Sequence, residues 1–300
     1  MSKQTTDYLV KALCFNGEIR AMATRTTELV SEAQQRHDTW RTSTAALGRS
    51  LTGALMLGSM HKGDEKLTVR IQGDGPIGAI VVDADAKGHV KGYVKNPQVN
   101  LPANALGKID VRGGVGTNGS LSVVKDLGLR EPFTGQVPLV SGELAEDFTY
   151  YLATSEQVPS AVGLSVLVDN ENDDVVKAAG GFMIQVMPFA SEETLVEIEK
   201  RLADIPQVSN LLDQGETPEE ILYRLLGKEN VEILDTMPVE FQCDCSKERF
   251  SSALITLGVD ELTQMIEEDN GAEAVCHFCG EKYHYSADEL LVLIDEAMQS

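Results

Sequence analysis

The chain has 300 residues, 42% of them hydrophobic, and a formal net charge of −22 from 47 acidic and 25 basic side chains. This length and composition are typical of a globular protein with a sizeable core and room for two domains, and they exclude a disordered or fibrous chain. Because nucleic-acid affinity depends largely on Lys and Arg side chains that displace counterions from phosphates, the charge also argues against a nucleic-acid partner.

The sequence gives no sign of a membrane span or a secretion signal. It contains no run of about 18 apolar residues, the length that a spanning helix needs. Its first stretch, MSKQTTDYLVKALCFNGEIR, carries Lys11 inside the only apolar run and lacks the apolar core of a signal peptide. We therefore expect a cytoplasmic protein, whose thiols are normally kept reduced.

Residues 1–187 predict a mixed α+β core. Two strand-like runs, YLVKALCF and EIRAMAT, flank Asn16-Gly17, a dipeptide that suits the left-handed angles of a hairpin turn. Residues 44–60 predict a helix that is apolar on nearly every side except at Arg49, and such a helix should be buried. Short strand-like runs separated by turn residues follow, with a further helix predicted within 143–157.

Residues 188–234 predict a helical linker. Ser191 is a candidate N-cap for the first helix, SEETLVEIEKRLADI. In the next, TPEEILYRLLG, Thr217 and Glu220 form a capping box. Short amphipathic helices are not stable alone in water. We therefore expect the linker to be held on the core by modest apolar contacts.

Residues 235–300 predict a small separate domain that contains four of the five cysteines. Two short helices broken at Gly258 should separate the cysteine pairs, and a last helix should follow the capping box from Ser286 to Glu289. A segment of this size has little core of its own, so it needs a covalent or metal staple.

The four clustered cysteines predict a metal site. A C-x-C pair and a C-x-x-C pair, separated by 30 residues, match the ligand count of a tetrahedral site for one Zn²⁺. The predicted ligands are Cys243, Cys245, Cys276 and Cys279. His277 and His284 lie nearby in sequence, but four thiolates already fill a tetrahedron. Cys14 lies on a predicted strand, and we expect it to be a small buried side chain.

Two interpretations of this site are open at this point. Zinc could simply staple a small domain, because binding energy in small metal domains is folding energy. Alternatively, the site could respond to oxidants, since a disulfide within a C-x-C pair is strained and therefore more oxidising. Disulfides within each pair would close loops of only a few residues and would leave the 30-residue bridge unrestrained. In that case oxidation would release the metal and unfold the domain.

The same motifs resemble a known family across essentially the whole chain. CDCSKERF and AVCHFCGEKY are similar to the zinc switch of the redox-regulated 33-kDa chaperonins, the heat-shock protein 33 family of the bacterial cytoplasm. ALGRSLTGALMLG, GDGPIGAI, GTNGSLSVVKDLG and AAGGFMIQVMP are similar to the N-terminal core of that family.

The resemblance implies a function and a role for each clustered cysteine. It implies that the four bind zinc when reduced and pair as nearest neighbours when oxidised, Cys243 with Cys245 and Cys276 with Cys279. It also implies an ATP-independent holdase that is an inactive monomer when reduced and a homodimer when oxidised. Oxidative stress would destabilise the linker, and apolar surface of the core and linker would bind unfolding client proteins.

The main alternative is an enzyme, a thiol–disulfide oxidoreductase that uses Cys276 and Cys279. In such enzymes the C-x-x-C pair stands at a helix N-terminus that follows a strand. A zinc-ribbon nucleic-acid adaptor is disfavoured by the net charge of −22. The sequence has no G-x-S-x-G, H-E-x-x-H or P-loop motif, so we expect no hydrolase or nucleotide-dependent activity.

Overall fold

The structure is a computed structural model that describes residues 6–169 and 175–298. The chain divides into two compact units, Met1–Gln242 and Cys243–Ser300. The helices of residues 188–234 lie within the first unit, and the four clustered cysteines lie within the second. The division into core, linker and zinc-binding domain stays a prediction.

The first unit mixes strands and helices, which confirms the predicted α+β class. Its strands are β1 (Tyr8–Cys14), β2 (Ile19–Arg25), β3 (Lys66–Gln72), β4 (Ala79–Asp85), β5 (His89–Val94), β6 (Ser120–Asp126), β7 (Phe133–Pro138), β8 (Ser160–Val168), β9 (Val176–Val186), β10 (Val231–Pro238) and β11 (Glu240–Phe241). Its helices are α1 (Thr27–His37), α2 (Arg41–Gly58), α3 (Val111–Val115), α4 (Ala145–Thr154), α5 (Glu192–Ala203), α6 (Val208–Asp213) and α7 (Pro218–Leu226).

Within the described residues, the strands of the first unit form two sheets. One has the order β10-β1-β2-β9-β8 with antiparallel neighbours throughout. The other has the order β11-β5-β4-β3-β6-β7, in which only β11 runs parallel to its neighbour. The predicted hairpin is confirmed as β1 and β2, with Asn16 and Gly17 at positive φ in the turn.

Helix α2 is the buried helix that the sequence predicts. It contacts strands of both sheets, and its side chains from Thr42 to Gly58 are all buried. Phe148 of α4 packs so close to α2 that only glycine fits at position 53, since a Cβ at Gly53 would stand 2.6 Å from the Phe148 ring. Arg49, its charged exception, donates to both the carbonyl and the carboxylate of Glu143 at 2.9 and 2.8 Å.

The helices predicted for residues 188–234 are confirmed together with their caps. The backbone N–H of Thr194 donates to Ser191 Oγ at 3.3 Å and begins α5. At α7 the capping box is reciprocal, because Glu220 N–H donates to Thr217 Oγ1 at 3.3 Å and Thr217 N–H donates to Glu220 Oε2 at 2.7 Å. These caps satisfy N–H groups that the first turn of a helix leaves without partners.

The expectation of modest apolar contacts is wrong for α6 and α7. Both helices pack on the β10-β1-β2-β9-β8 sheet and form one core with its strands. The side chains that they contribute are at most 3% exposed: Val208, Leu211, Leu212, Ile221, Leu222, Leu225 and Leu226. Helix α5 fits the expectation better, since Ile198 is its only buried apolar side chain among the described residues.

Strand β10 is a second departure from the predicted linker. Residues 231–234 open a strand that pairs with β1 along its whole length, from Tyr8 opposite Pro238 to Cys14 opposite Val231. Its side chains are exposed or only half buried, as expected for the edge strand of a sheet. The alternation of apolar and polar residues that would identify this strand in the sequence stops after Ile233, because Leu234 follows it directly at an irregularity in the pairing with β1.

The second unit is a small helical fold around one β-hairpin. It contains α8 (Lys247–Ile255), α9 (Val259–Asp269), β12 (Gly271–Val275), β13 (Lys282–Ser286) and α10 (Ala287–Ala297). The predicted break at Gly258 is confirmed, with φ at 92°, and so is the capping box that opens α10. The hairpin was not predicted. A small cluster forms its core: Leu262, Tyr285, Leu290, Leu293 and Ile294.

The docking of α7 predicts a large effect of truncating its buried face. Leu222 is fully buried, so Leu222→Ala should lower the free energy of unfolding by about 2–5 kcal/mol. Val196→Ala on α5 is the control, since Val196 is 60% exposed and its truncation should cost less than about 0.5 kcal/mol. Urea unfolding followed by fluorescence of Trp40, the single tryptophan, measures both. Equal losses in the two variants would contradict the docking of α7.

Candidate metal centre

Two loops of the second unit carry the four cysteines. Cys243 and Cys245 stand just before α8, which begins where Arg249 N–H donates to Ser246 Oγ at 3.3 Å. Cys276 and Cys279 lie in the turn between β12 and β13. In that turn Cys276 N–H donates to the Glu281 carbonyl at 2.9 Å, and Gly280 N–H donates to the Cys276 carbonyl at 2.8 Å. The helix cap and the hairpin turn therefore fix the two pairs independently.

The four sulfur atoms come together at one point, and all of them lie within 4.8 Å of one another. Across the pairs, Cys243 Sγ is 3.8 Å from Cys276 Sγ, and Cys245 Sγ is 3.4 Å from Cys279 Sγ. Zn–S bonds of about 2.3 Å in a tetrahedron place the sulfur atoms about 3.8 Å apart. The sulfur cluster therefore has the size of a tetrahedral thiolate site and fits a zinc ion.

Charge repulsion explains why these thiols need a cation. Burial raises the pKa of Cys245, but hydrogen bonds from Tyr283 and the other three cysteines outweigh burial and hold that pKa below its ordinary value. Burial, together with hydrogen bonds to Cys245, Cys276 and Cys243, raises the pKa of Cys279 instead. Four thiols this close cannot all lose their protons unless a positive charge lies among them. The donor set therefore suits a divalent metal ion.

The two histidines near the cysteines do not join the cluster. In the part of the chain that the structure describes, the four cysteines alone form a group of three or more side chains placed to hold a metal. His284 is 74% exposed, and its Nδ1 lies 3.4 Å from a carboxylate oxygen of Glu273. Cys14 lies far along the chain in β1 and is fully buried, and burial raises the pKa of its thiol to about 12. Its burial confirms what the sequence predicts.

The C-x-x-C pair does not have the setting of a thiol oxidoreductase. Such enzymes place the pair at the N-terminus of a helix, which lowers the pKa of the first thiol. Here Cys276 and Cys279 stand in a strand-to-strand turn, and both are buried. This position disfavours the enzymatic alternative.

Sequence reasoning missed one side chain at the site, Tyr283 on β13. Its hydroxyl donates to Cys245 Sγ at 3.2 Å, although it belongs to the hairpin that carries the other cysteine pair. That hydrogen bond, followed by burial, raises the pKa of Tyr283. The sequence holds one signal for it, because Tyr283 and Tyr285 alternate directly after the C-x-x-C motif, as aromatic residues of a strand do.

Comparison with known proteins gives one consistent family. A family model described as Hsp33 protein matches residues 7–286. The 33 kDa chaperonin of Enterococcus faecalis is 65% identical over 98% of each chain. That of Bacillus subtilis is 61% identical over 97% of this chain and 99% of its own.

A solved structure agrees with these matches. The crystal structure of the 33 kDa chaperonin from Thermotoga maritima matches 99% of this chain and 100% of its own, with a TM-score of 0.92 and 39% identity.

None of the described helices is long and apolar enough to cross a membrane.

The different surroundings of the thiols predict an order of alkylation in the reduced, metal-free chain. At pH 7 Cys245 should react with iodoacetamide before Cys14, because removal of the metal should expose the cysteines of the second unit, while Cys14 stays fully buried and burial raises its pKa to about 12. Peptide mass spectrometry measures the order. The variant C14S should keep the native labelling pattern and lose one labelled site in urea. Early labelling of Cys14 would contradict the buried strand position.

Proposed function

The chain belongs to the Hsp33 family of chaperones, and we propose that it is a redox-regulated, ATP-independent holdase. In this proposal, the reduced chain is inactive, and oxidative unfolding stress activates it through disulfide formation and zinc release. The active form then protects unfolding proteins from aggregation. The observation that carries the proposal is the cluster of four sulfur atoms within 4.8 Å.

In the reduced state, Cys243, Cys245, Cys276 and Cys279 would hold one Zn²⁺. The bound ion would supply the positive charge that lets four neighbouring thiolates coexist and would tie the start of the second unit to its hairpin. The unit needs this tie because its apolar core is small, and domains of this size rarely fold on burial alone.

Oxidation would pair the cysteines as sequence neighbours, Cys243 with Cys245 and Cys276 with Cys279. In each pair two thiolates give two electrons to one peroxide molecule, whose O–O bond breaks to leave two hydroxide ions as the S–S bond forms. These disulfides span two and three positions in the sequence, so they restrain the unfolded chain little. Disulfides across the pairs would span 33 and 34 positions and would keep the second unit closed. Activation by unfolding therefore requires the neighbour pairing.

Loss of the second unit would act on the rest of the chain through its least buried helix. Among the described residues, Ile198 is the single apolar side chain that α5 buries, whereas α6 buries three aliphatic side chains and α7 buries four. Helix α5 is therefore the part of residues 188–234 that should detach first. Its apolar residues, with the apolar surface of the core against which Ile198 packs, would form the surface that binds client proteins.

The oxidised chain would form a homodimer and the reduced chain a monomer, in the cytoplasm, where thiols are normally reduced. Its partners would be unfolded or oxidatively damaged proteins, with no role for nucleic acid or membrane. The net charge of −22 supports the absence of nucleic-acid binding and favours solubility while apolar surface is exposed. We propose no enzymatic activity, since the C-x-x-C pair lacks the helix N-terminus that activates it in oxidoreductases.

The central test follows zinc and chaperone activity together. When the zinc-loaded chain is treated with peroxide at raised temperature, zinc release and suppression of client aggregation should rise in parallel. Dithiothreitol with zinc should reverse both. The variant C14S should behave as the wild type, because Cys14 lies outside the cluster. Full activity in a reduced, zinc-loaded sample would contradict the proposal, and catalytic turnover in an insulin-reduction assay would favour the oxidoreductase.

The unequal burial of the linker helices predicts an order of loosening. After oxidation, amide protons of α5 should lose hydrogen-exchange protection, while those of α7 should keep it, since α7 buries four fully inaccessible side chains and α5 buries few. Mass spectrometry of deuterium uptake in peptides from residues 192–203 and 218–226 measures this. Unchanged protection of α5 would show that oxidation of the second unit does not loosen this helix. Equal loss of protection in both helices would show that the loosening extends to α7.

A further inference from the structure

The hydroxyl of Tyr283 is aimed at the sulfur of one proposed metal ligand. It donates to Cys245 Sγ at 3.2 Å. Tyr283 stands opposite Ala274 in the β12–β13 hairpin, whose turn carries Cys276 and Cys279. The hydrogen bond therefore joins the hairpin of the second cysteine pair to a sulfur of the first pair.

Packing fixes the direction of this hydroxyl. The ring of Tyr283 lies against Phe250 of α8, with centroids 5.1 Å apart and an angle of 36° between the rings. The strand holds the Tyr283 backbone, and the helix that begins after Cys245 holds one face of the ring. Because β13 fixes the backbone of Tyr283 and α8 fixes the position of Phe250, the O–H group cannot easily turn to another acceptor.

We propose that Tyr283 is a positioning residue of the redox site, and that its O–H···S hydrogen bond strengthens zinc binding and slows attack of Cys245 on oxidants. This inference rests on the proposed function. Partners in the shell around metal ligands orient those ligands and tune them, and a hydrogen bond to a charged acceptor is among the stronger kinds. Donation to the sulfur draws on the lone-pair density with which a thiolate attacks peroxide. The same bond offsets part of the repulsion among the four crowded thiolates and holds Cys245 in place for the metal, which favours zinc binding.

The attack that Tyr283 would slow is the first step of oxidation. The Cys245 sulfur displaces hydroxide from peroxide, so that an S–O bond forms and the O–O bond breaks. Cys243 then attacks the Cys245 sulfur, the S–S bond forms, and a second hydroxide leaves. Two electrons pass from the pair to the peroxide. A weaker nucleophile at Cys245 would raise the oxidant threshold of the switch without changing its products.

Tyr285 provides a matched control in the same strand. It lies two residues further along β13, so its side chain leaves the same face of the hairpin. Its hydroxyl donates to the Lys247 carbonyl at 2.8 Å and accepts from Ser251 Oγ at 3.3 Å. Tyr285→Phe therefore removes a phenol hydroxyl from the second unit and leaves the Tyr283 hydroxyl on Cys245.

The experiment compares full-length wild type, Tyr283→Phe and Tyr285→Phe, each reduced and loaded with zinc. Competition with a chromophoric chelator measures zinc affinity, and stopped-flow with peroxide measures the rate of zinc release. Tyr283→Phe should bind zinc about 10-fold more weakly than the wild type and release it faster. Tyr285→Phe should match the wild type in both. With Co²⁺ in place of zinc, only Tyr283→Phe should shift the sulfur-to-metal charge-transfer band, which a purely structural role would leave in place.

Equal zinc affinity, release rate and cobalt spectrum in the two variants would overturn the inference. So would equal weakening in both, which would indicate general loss of the hairpin, and far-ultraviolet circular dichroism of the zinc-loaded chains checks this directly. If wild-type zinc release proved insensitive to peroxide, the proposed function would fail. The chelator and cobalt measurements would still decide the role of Tyr283.

Discussion

Four sulfur atoms of the second unit meet within 4.8 Å, and in the proposed function the fold of that unit depends on them. Two of them come from the segment before α8 and two from the hairpin turn, so this contact joins the first residues of the unit to its middle. Uncompensated thiolates at these distances repel one another, and thiols without a metal make only weak contacts. The same cluster would therefore stabilise the unit strongly with a cation and weakly without one.

The first unit has no comparable dependence. Helix α2 is buried along its length where it contacts strands of both sheets, and α6 and α7 close the β10-β1-β2-β9-β8 sheet with fully buried leucines. A core of this extent is stabilised by apolar burial, and its thiol, Cys14, is fully buried. In the proposed function, the chain thus combines a unit that oxidation would leave intact with one whose fold would depend on oxidisable ligands. A chaperone needs this combination if its client surface is to appear only under stress.

The sequence was most informative where local chemistry decides structure. Asn16-Gly17 marked the β1–β2 hairpin, Thr217 and Glu220 marked the start of α7, and Gly258 marked the break between α8 and α9. The four cysteines could be assigned to one site because few functions require two close thiol pairs in so short a segment.

What the sequence did not reveal depends on contacts between distant residues. Strand β10 exists because it pairs with β1, more than 200 residues earlier in the chain, and its own alternation of apolar and polar residues is too short to identify it. The firm docking of α7 depends on the apolar face that the sheet offers it, which its capping signals cannot indicate. Tyr283 is in the same class, since only the folded hairpin brings its hydroxyl to Cys245.

The most direct test of the central claim removes the metal without oxidising the thiols. Hydrogen exchange of the reduced chain, measured with zinc bound and after chelation, separates the contribution of the ion from that of disulfides. We expect amide protons of α8, α9 and α10 to lose their protection on chelation, while those of α2 and β1 keep theirs. Equal protection of α8–α10 in both samples would contradict the claim that the metal holds the second unit together.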